Sequence, residues 1–366
     1  MKRIRISEPQ LDDKEKKILK EVIDTKIIAS GKYVARFEEE FSKYLNCKYS
    51  VATSSGTTAL HAALIAAGIK KDDIVLTTPF SFIATANCIL FVGAKPEFVD
   101  INENSFNLDI DLLEKRLSSR MKKPAALIVV HLYGNPMDMP RVKKLCNKYK
   151  IKLIEDCAQS HGAEVNGKVI GTFGLAGCFS FYATKNMTTG EGGMITTNNK
   201  KYFELSKKII NHGRVGRFHH DILGYNFRIT NLQAGIGLVQ MTKIRKMTEL
   251  RIKNAKYLSR NLTGIDWITI PKVQLGTKHV FHQYTIRVPK KIRKKFVNYL
   301  ISNGIDAATI YPLTIPEQPL YKRLGYSTKG LEKSVLISRE VVSLPVHPGL
   351  TRKDLEKVIN TIRRFK

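Results

Sequence analysis

Between residues 50 and 158 the chain alternates short apolar runs with longer segments of helical character, and few architectures accept that pattern. SVATS (50–54), DIVLTTP (73–79), KPEFVDI (95–101), AALIVVHLYG (125–134) and IKLIEDCA (151–158) read as strands. Runs such as LIVV and KLIED do not alternate with polar residues, which suits strands covered on both faces, as in a parallel sheet. Between them lie SSGTTALHAALIAAG, FIATANCILFVGA and a polar-faced segment near 138–149. These are the crossovers that parallel strands need. The pattern predicts an α/β fold.

The flanking sequence adds helices. Residues 11–30 and 33–45 carry apolar residues at helical spacing, Ile18, Leu19, Val22 and Ile23 in the first and Phe37, Phe41 and Tyr44 in the second. A long helix is expected over 231–262, then a strand-like run at 280–288, a helix over 293–304 and a last helix from Arg352 to Phe365, entered through a Thr351 cap. At 366 residues the chain exceeds what one core usually accommodates. We therefore expect two domains, 1–245 and 246–366, with the boundary inside the long helix.

Sixty-one Lys and Arg against 32 Asp and Glu give a net charge of +29. Such a balance suggests nucleic acid or an anionic substrate. The basic residues are spread along the chain, however, and the densest run, PKKIRKK (289–295), has no zinc-finger or RNA-recognition signature around it. A nucleic-acid-binding protein is thus the rival class, and a solvated basic surface the simpler reading. Cys47, Cys88, Cys146, Cys157 and Cys178 are scattered with no CxxC pair, which argues against disulfides, thiolate metal sites and iron–sulfur clusters. No run approaches the length of a membrane span and MKRIRISEPQ lacks the apolar core of a secretory signal, so a cytoplasmic protein is expected.

Ligands of open α/β sheets bind beyond the carboxyl ends of the strands, and four such ends carry useful chemistry. Ser54-Ser55-Gly56-Thr57-Thr58 runs straight into a helix, where free N–H groups and hydroxyls form an anion cradle. Asp156 closes KLIED, and a carboxylate at a buried strand end needs a cationic partner. Phe82 offers an aromatic face. FSFYATK supplies the Ser180 hydroxyl and Lys185, a lysine whose burial would leave its amine nucleophilic. Taken singly these are a capped helix, an ion pair, a core phenylalanine and a surface lysine. Together they match a phosphate, a ring nitrogen, a ring face and an aldehyde, the groups of pyridoxal 5′-phosphate (PLP).

The same stretches resemble the DegT/DnrJ/EryC/StrS sugar aminotransferases, PLP enzymes of fold type I. The resemblance is carried by GKYVARFEEEF (31–41), SSGTTAL (54–60), FSFIATANCILFVGAKPEFVDI (80–101), HLYGNPMDM (131–139), IEDCAQSHGA (154–163), GTFGLAGCFSFYATKNMTTGEGGM (171–194), GYNFRITNLQAGIGL (224–238) and LPVHPGL (344–350). It implies a large domain with a mixed, mostly parallel sheet between helices and a smaller C-terminal α/β domain. It also implies that Lys185 forms the internal aldimine and moves protons, that Asp156 pairs with the pyridinium nitrogen, and that Phe82 stacks on the ring. Gln159 would lie near the ring hydroxyl, with Gly56, Thr57 and Ser180 on the phosphate. Asn226 would reach the neighbouring subunit's phosphate site, which implies a homodimer with shared active sites. Lysine at 185 separates the chain from a dehydrating branch with histidine there, and the absence of clustered cysteines separates it from iron–sulfur dehydratases. The implied reaction moves an amino group from L-glutamate to a nucleotide-linked keto-deoxysugar, with a cyclitol or other keto substrate as the alternative. Arg228 is a candidate contact for the pyrophosphate. The family's histidine ahead of a Gln-Pro pair is missing from YPLTIPEQPLY (311–321), so sugar contacts are not carried over through that loop, and Tyr311 is left as its candidate facing the site.

Overall fold

The computed structural model describes residues 3–365. In chain order the strands are β1 (Tyr49–Thr53), β2 (Ile74–Thr77), β3 (Lys95–Phe98), β4 (Ala126–Val130), β5 (Lys152–Asp156), β6 (Glu164–Val165), β7 (Lys168–Val169), β8 (Ala176–Ser180), β9 (Gly193–Thr197), β10 (Thr277–Lys278), β11 (Tyr284–Arg287) and β12 (Val341–Leu344). Seven of them form the central sheet in the order β1-β9-β8-β5-β4-β2-β3. Only β9 runs antiparallel to its neighbours, so the sheet is mixed and mostly parallel. Both of its faces are covered, as the unbroken apolar runs require. Leu127 and Val129 of β4 enter one core with Phe37 and Phe41, while Ala126 and Ile128 enter a second with Leu60 and Leu64.

The helices are α1 (Asp13–Asp24), α2 (Lys32–Leu45), α3 (Gly56–Ala66), α4 (Ala84–Phe91), α5 (Ile110–Ser118), α6 (Met139–Tyr149), α7 (Lys200–Ile209), α8 (Asn231–Leu262), α9 (Lys290–Ser302), α10 (Pro319–Arg323), α11 (Glu332–Ser338) and α12 (Arg352–Arg363). Helix α8 has the expected limits and starts in a Thr230–Gln233 capping box. Its first half packs Ala234, Leu238 and Ile244 against the large core, and its second half packs Ala255, Leu258 and Leu262 into a third core with β11 and β12. Thr351 caps α12 as expected. No described helix is long and apolar enough to cross a membrane. All five cysteines are free, four buried and Cys47 half-buried.

Three local expectations shift. Helix α1 stops at Asp24 rather than near residue 30, because Lys26 adopts a left-handed φ of 57°, and the carbonyls beyond it turn to Asn231, whose side-chain amide donates to Ile27 and whose N–H donates to Ile28 and Ala29. The run at 280–288 is a strand only from Tyr284, since Val280 and Gln283 instead donate their N–H groups to the Gly134 and Tyr133 carbonyls. The strand before Lys185 ends at Ser180, so Lys185 sits on a turn, its N–H donating to the Tyr182 carbonyl at 2.9 Å.

Candidate active site

Strands β1, β2, β4, β5 and β8 point the same way, so their carboxyl ends meet at one sheet edge. Asp156 pairs in register with Val130 on one side and Cys178 on the other, which sets it two residues short of Ser180 along the neighbouring strand. A cavity of about 490 Å³ opens there, and Gly56, Thr57, Phe82, Asp156, Gln159, Ser180, Lys185 and Tyr311 all line it. Asn226 and Arg228 do not. Both are exposed, Arg228 Nε donating to Asn226 Oδ1 at 3.0 Å, on a segment tied to the start of α3 by the Ser54 N–H to Phe227 carbonyl bond.

The anion cradle is built by close approach. Ser55 caps α3, its Oγ taking the Thr58 N–H at 3.1 Å, which leaves the first-turn amides of Gly56 and Thr57 without helical acceptors. A Cβ at Gly56 would stand 2.7 Å from Ser180 Cβ, so glycine is what lets these amides lie against the Ser180 hydroxyl. Gly193, at the start of β9, serves the same end: a Cβ there would meet the Ser55 carbonyl at 2.3 Å.

Asp156 is 5% exposed. Thr85 donates its hydroxyl to Oδ2 at 2.8 Å and the Ala158 N–H reaches Oδ1 at 3.1 Å. Burial pushes the Asp156 carboxyl above its ordinary pKa, and those two bonds and the Lys185 charge only partly oppose it. Such a group gains from a protonated ring nitrogen at its side. Lys185 is half-buried; desolvation of its ammonium brings its pKa to about 8, against the attraction of Asp156. A fraction of the amine is therefore neutral, hence nucleophilic, near pH 7.

Gln159 is oriented by its neighbours. Its Oε1 accepts the Tyr133 N–H at 2.8 Å, so its amide nitrogen faces the Tyr311 hydroxyl at 2.9 Å and is the end available to the cavity. Burial raises the Tyr311 pKa, so the phenol keeps its proton and, accepting from Gln159, can donate onward. Phe82 is 57% exposed with its ring 6.3 Å from that of Tyr311, and Tyr133 donates to the Ile310 carbonyl behind them.

Thr85 and His282 belong to the site and were not singled out in the sequence. Thr85 lies three residues after Phe82 in FIATAN; His282 interrupts the apolar run VFHQYTIRV. The donor set fits PLP: a cradle closed to any Cβ, a buried carboxylate in no ion pair among the described residues, and a lysine of lowered basicity.

Residues 9–363 match the sequence pattern of the DegT/DnrJ/EryC1/StrS aminotransferase family. A "Pleiotropic regulatory protein" of Geobacillus stearothermophilus is 37% identical, the match covering 97% of this chain and 95% of that one. GDP-perosamine synthase of Vibrio cholerae is 33% identical over 99% of both chains. Among solved structures, S. venezuelae DesV, in complex with a ketimine intermediate, superposes with a TM-score of 0.95 at 29% identity, covering 99% of this chain and 98% of that chain.

Proposed function

The chain belongs to the DegT/DnrJ/EryC1/StrS aminotransferase family, and from that membership we propose that it is a PLP-dependent transaminase moving an amino group from L-glutamate to the keto carbon of a nucleotide-linked keto-deoxysugar. The observation that carries this reading is the meeting of the Lys185 amine, the Asp156 carboxylate and the Gly56–Ser180 cradle in one cavity. Relatives whose names specify nucleotide sugars, GDP-perosamine synthase among them, support the substrate class.

Bound in the cavity, the cofactor supplies an aldehyde carbon to which amines attach and a ring that accepts the electron pair left when a neighbouring proton departs. The chain's own residues do the rest. Gly56 and Thr57 N–H groups and the Ser180 hydroxyl would hold the phosphate, the Phe82 ring would cover the heterocycle, and the Gln159 amide would donate to the ring oxygen. Asp156 holds a proton on the ring nitrogen. Lys185 Nζ would take the proton from the donor's α carbon and, in the second half of the transfer, deliver a proton to the acceptor's former keto carbon, so that the amine ends as it began.

Lys185 is the one cation among the described residues lining the cavity, yet both substrates are anionic. This favours a homodimer in which Asn226 and Arg228 of a second copy face the phosphate and the substrate's pyrophosphate. Two separately inactive variants, Lys185→Ala and Asn226→Asp, refolded together, are expected to regain measurable turnover, because one site of each mixed dimer is intact. Failure to regain any in verified mixed dimers would overturn sharing of the site.

The direct test of function is absorbance. Protein reconstituted with PLP should show the long-wavelength band of the lysine-attached cofactor, L-glutamate should bleach it, and a keto sugar carried on a nucleotide should restore it. A band that glutamate leaves unchanged would remove the proposed donor; no band after reconstitution would remove the enzyme reading.

A further inference from the structure

Val280 packs into the large core and Phe281 into the C-terminal one, so the chain crosses between the two units at this bond. The crossing is fixed from both sides. Phe281 adopts a positive φ of 45°, Arg251 of α8 directs Nη1 to the Phe281 and His282 carbonyls at 3.5 and 3.4 Å, and Tyr133 accepts the Gln283 N–H at 3.3 Å. His282 is thereby set into the cavity wall, 6% exposed.

One amide then decides where its proton sits. Asn186 follows Lys185 in the chain and donates Nδ2 to the Val280 carbonyl at 3.3 Å, an atom that can only accept. Its Oδ1 must therefore be the atom 3.3 Å from His282 Nδ1, and a carbonyl oxygen also only accepts. Nδ1 carries the hydrogen. Burial holds the ring neutral, with the charges of Lys185 and Arg251 acting in the same direction, so Nε2 is a bare lone pair. It has no partner among the described residues.

Of the titratable and charged groups around this ring, Asp156 only accepts and the Arg251 Nε is sealed from the cavity. Both His161 nitrogens are sealed as well, and burial brings that ring to a pKa of about 3. The Tyr311 hydroxyl also lines the cavity but sits against the Gln159 amide, and Lys185 is the one cationic donor on this wall among the described residues.

We propose that His282 is a positioning residue for the catalytic amine, its Nε2 the free acceptor to which the Lys185 side chain turns once its amine is protonated and released from the cofactor. The bond keeps Nζ, with the proton it has taken, at the wall until that proton is returned. This rests on the role given to Lys185 above.

Two variants separate this role from a structural one. His282→Asn keeps an N–H toward Asn186 and lacks an acceptor at the Nε2 position; His282→Gln places a carbonyl oxygen there and gives up the Asn186 bond. The first readout is the pH dependence of PLP capture by the cofactor-free protein, in which burial lowers the Lys185 pKa and an acceptor at His282 would raise it again. Losing an acceptor that favours the ammonium lets Lys185 deprotonate at lower pH, so His282→Asn should move the midpoint down and His282→Gln restore it. In turnover, His282→Asn should lower kcat about tenfold with KM unchanged, the equivalent of one hydrogen bond to a charged group. The opposite order, or equal effects of both variants, overturns the proposal. So does an Nε2–H tautomer in the ¹⁵N spectrum of the unsubstituted, cofactor-free protein labelled at histidine. That spectrum needs no cofactor, so its outcome is independent of the transaminase reading, which fails separately if no PLP is captured at any pH.

Discussion

Lys185→Ala is expected to lower turnover by at least about 10⁴-fold, the upper range of what a positioned acid–base group contributes, because the same substitution removes the nucleophile. The loss should not come from unfolding. Lys185 lies on a turn beyond β8, its backbone N–H keeps the Tyr182 carbonyl whatever the side chain, and its amine faces a cavity rather than a packed core. The cradle, Asp156 and Phe82 remain, so the variant should still bind PLP, but reversibly. Borohydride reduction followed by peptide mass analysis should find the cofactor on Lys185 in the unsubstituted protein and on no lysine in the variant. Covalent label on a different lysine would transfer the whole mechanism away from this loop.

The second large effect is expected from Asp156→Asn. The side chain keeps its size and can still accept from Thr85, but it can no longer supply the charge proposed to hold a proton on the ring nitrogen. Turnover should fall by about 10²–10³-fold, the range for removing one preorganised electrostatic group. The direction of the Asp156 pKa makes this more than loss of a contact. Burial raises that pKa in the cofactor-free protein, so the carboxylate is costly there and is relieved by a protonated partner. Cofactor binding should therefore weaken along with turnover in the variant, measured by equilibrium dialysis. Unchanged affinity together with unchanged kcat would show that Asp156 is only a strand-end ion.

The central sheet was legible because β4 and β5 are apolar on both faces, and a strand covered twice leaves few other readings. The start of helix α8 coincides with a Thr230–Gln233 capping box, a local signal that needs no distant partner. The end of α1 was not legible. The chain turns left-handed at Lys26 and the carbonyls beyond it are claimed by Asn231, some 200 residues away, and local periodicity carries no trace of either. Thr85 escaped for the same reason, since its acceptor lies on β5, 71 residues later. Gly56 and Ser180 could be singled out as residue types, whereas the 2.7 Å that makes the glycine necessary exists only once β1 and β8 are brought together. His282 had the strongest overlooked signal, a polar ring inside an apolar run, but its orientation depends on Asn186 and on the crossing at Phe281.

Helix α8 has a further consequence. Lys185 and Asp156 lie before it in the chain and His282 and Tyr311 after it, while its two halves are anchored in different cores. It therefore acts as a ruler as well as a strut. One residue inserted between Thr248 and Asn254 would turn everything downstream by about 100° and advance it by about 1.5 Å, since each helical residue contributes that much. No loop in this stretch can absorb the error. Length, and not merely composition, is what this segment has to preserve.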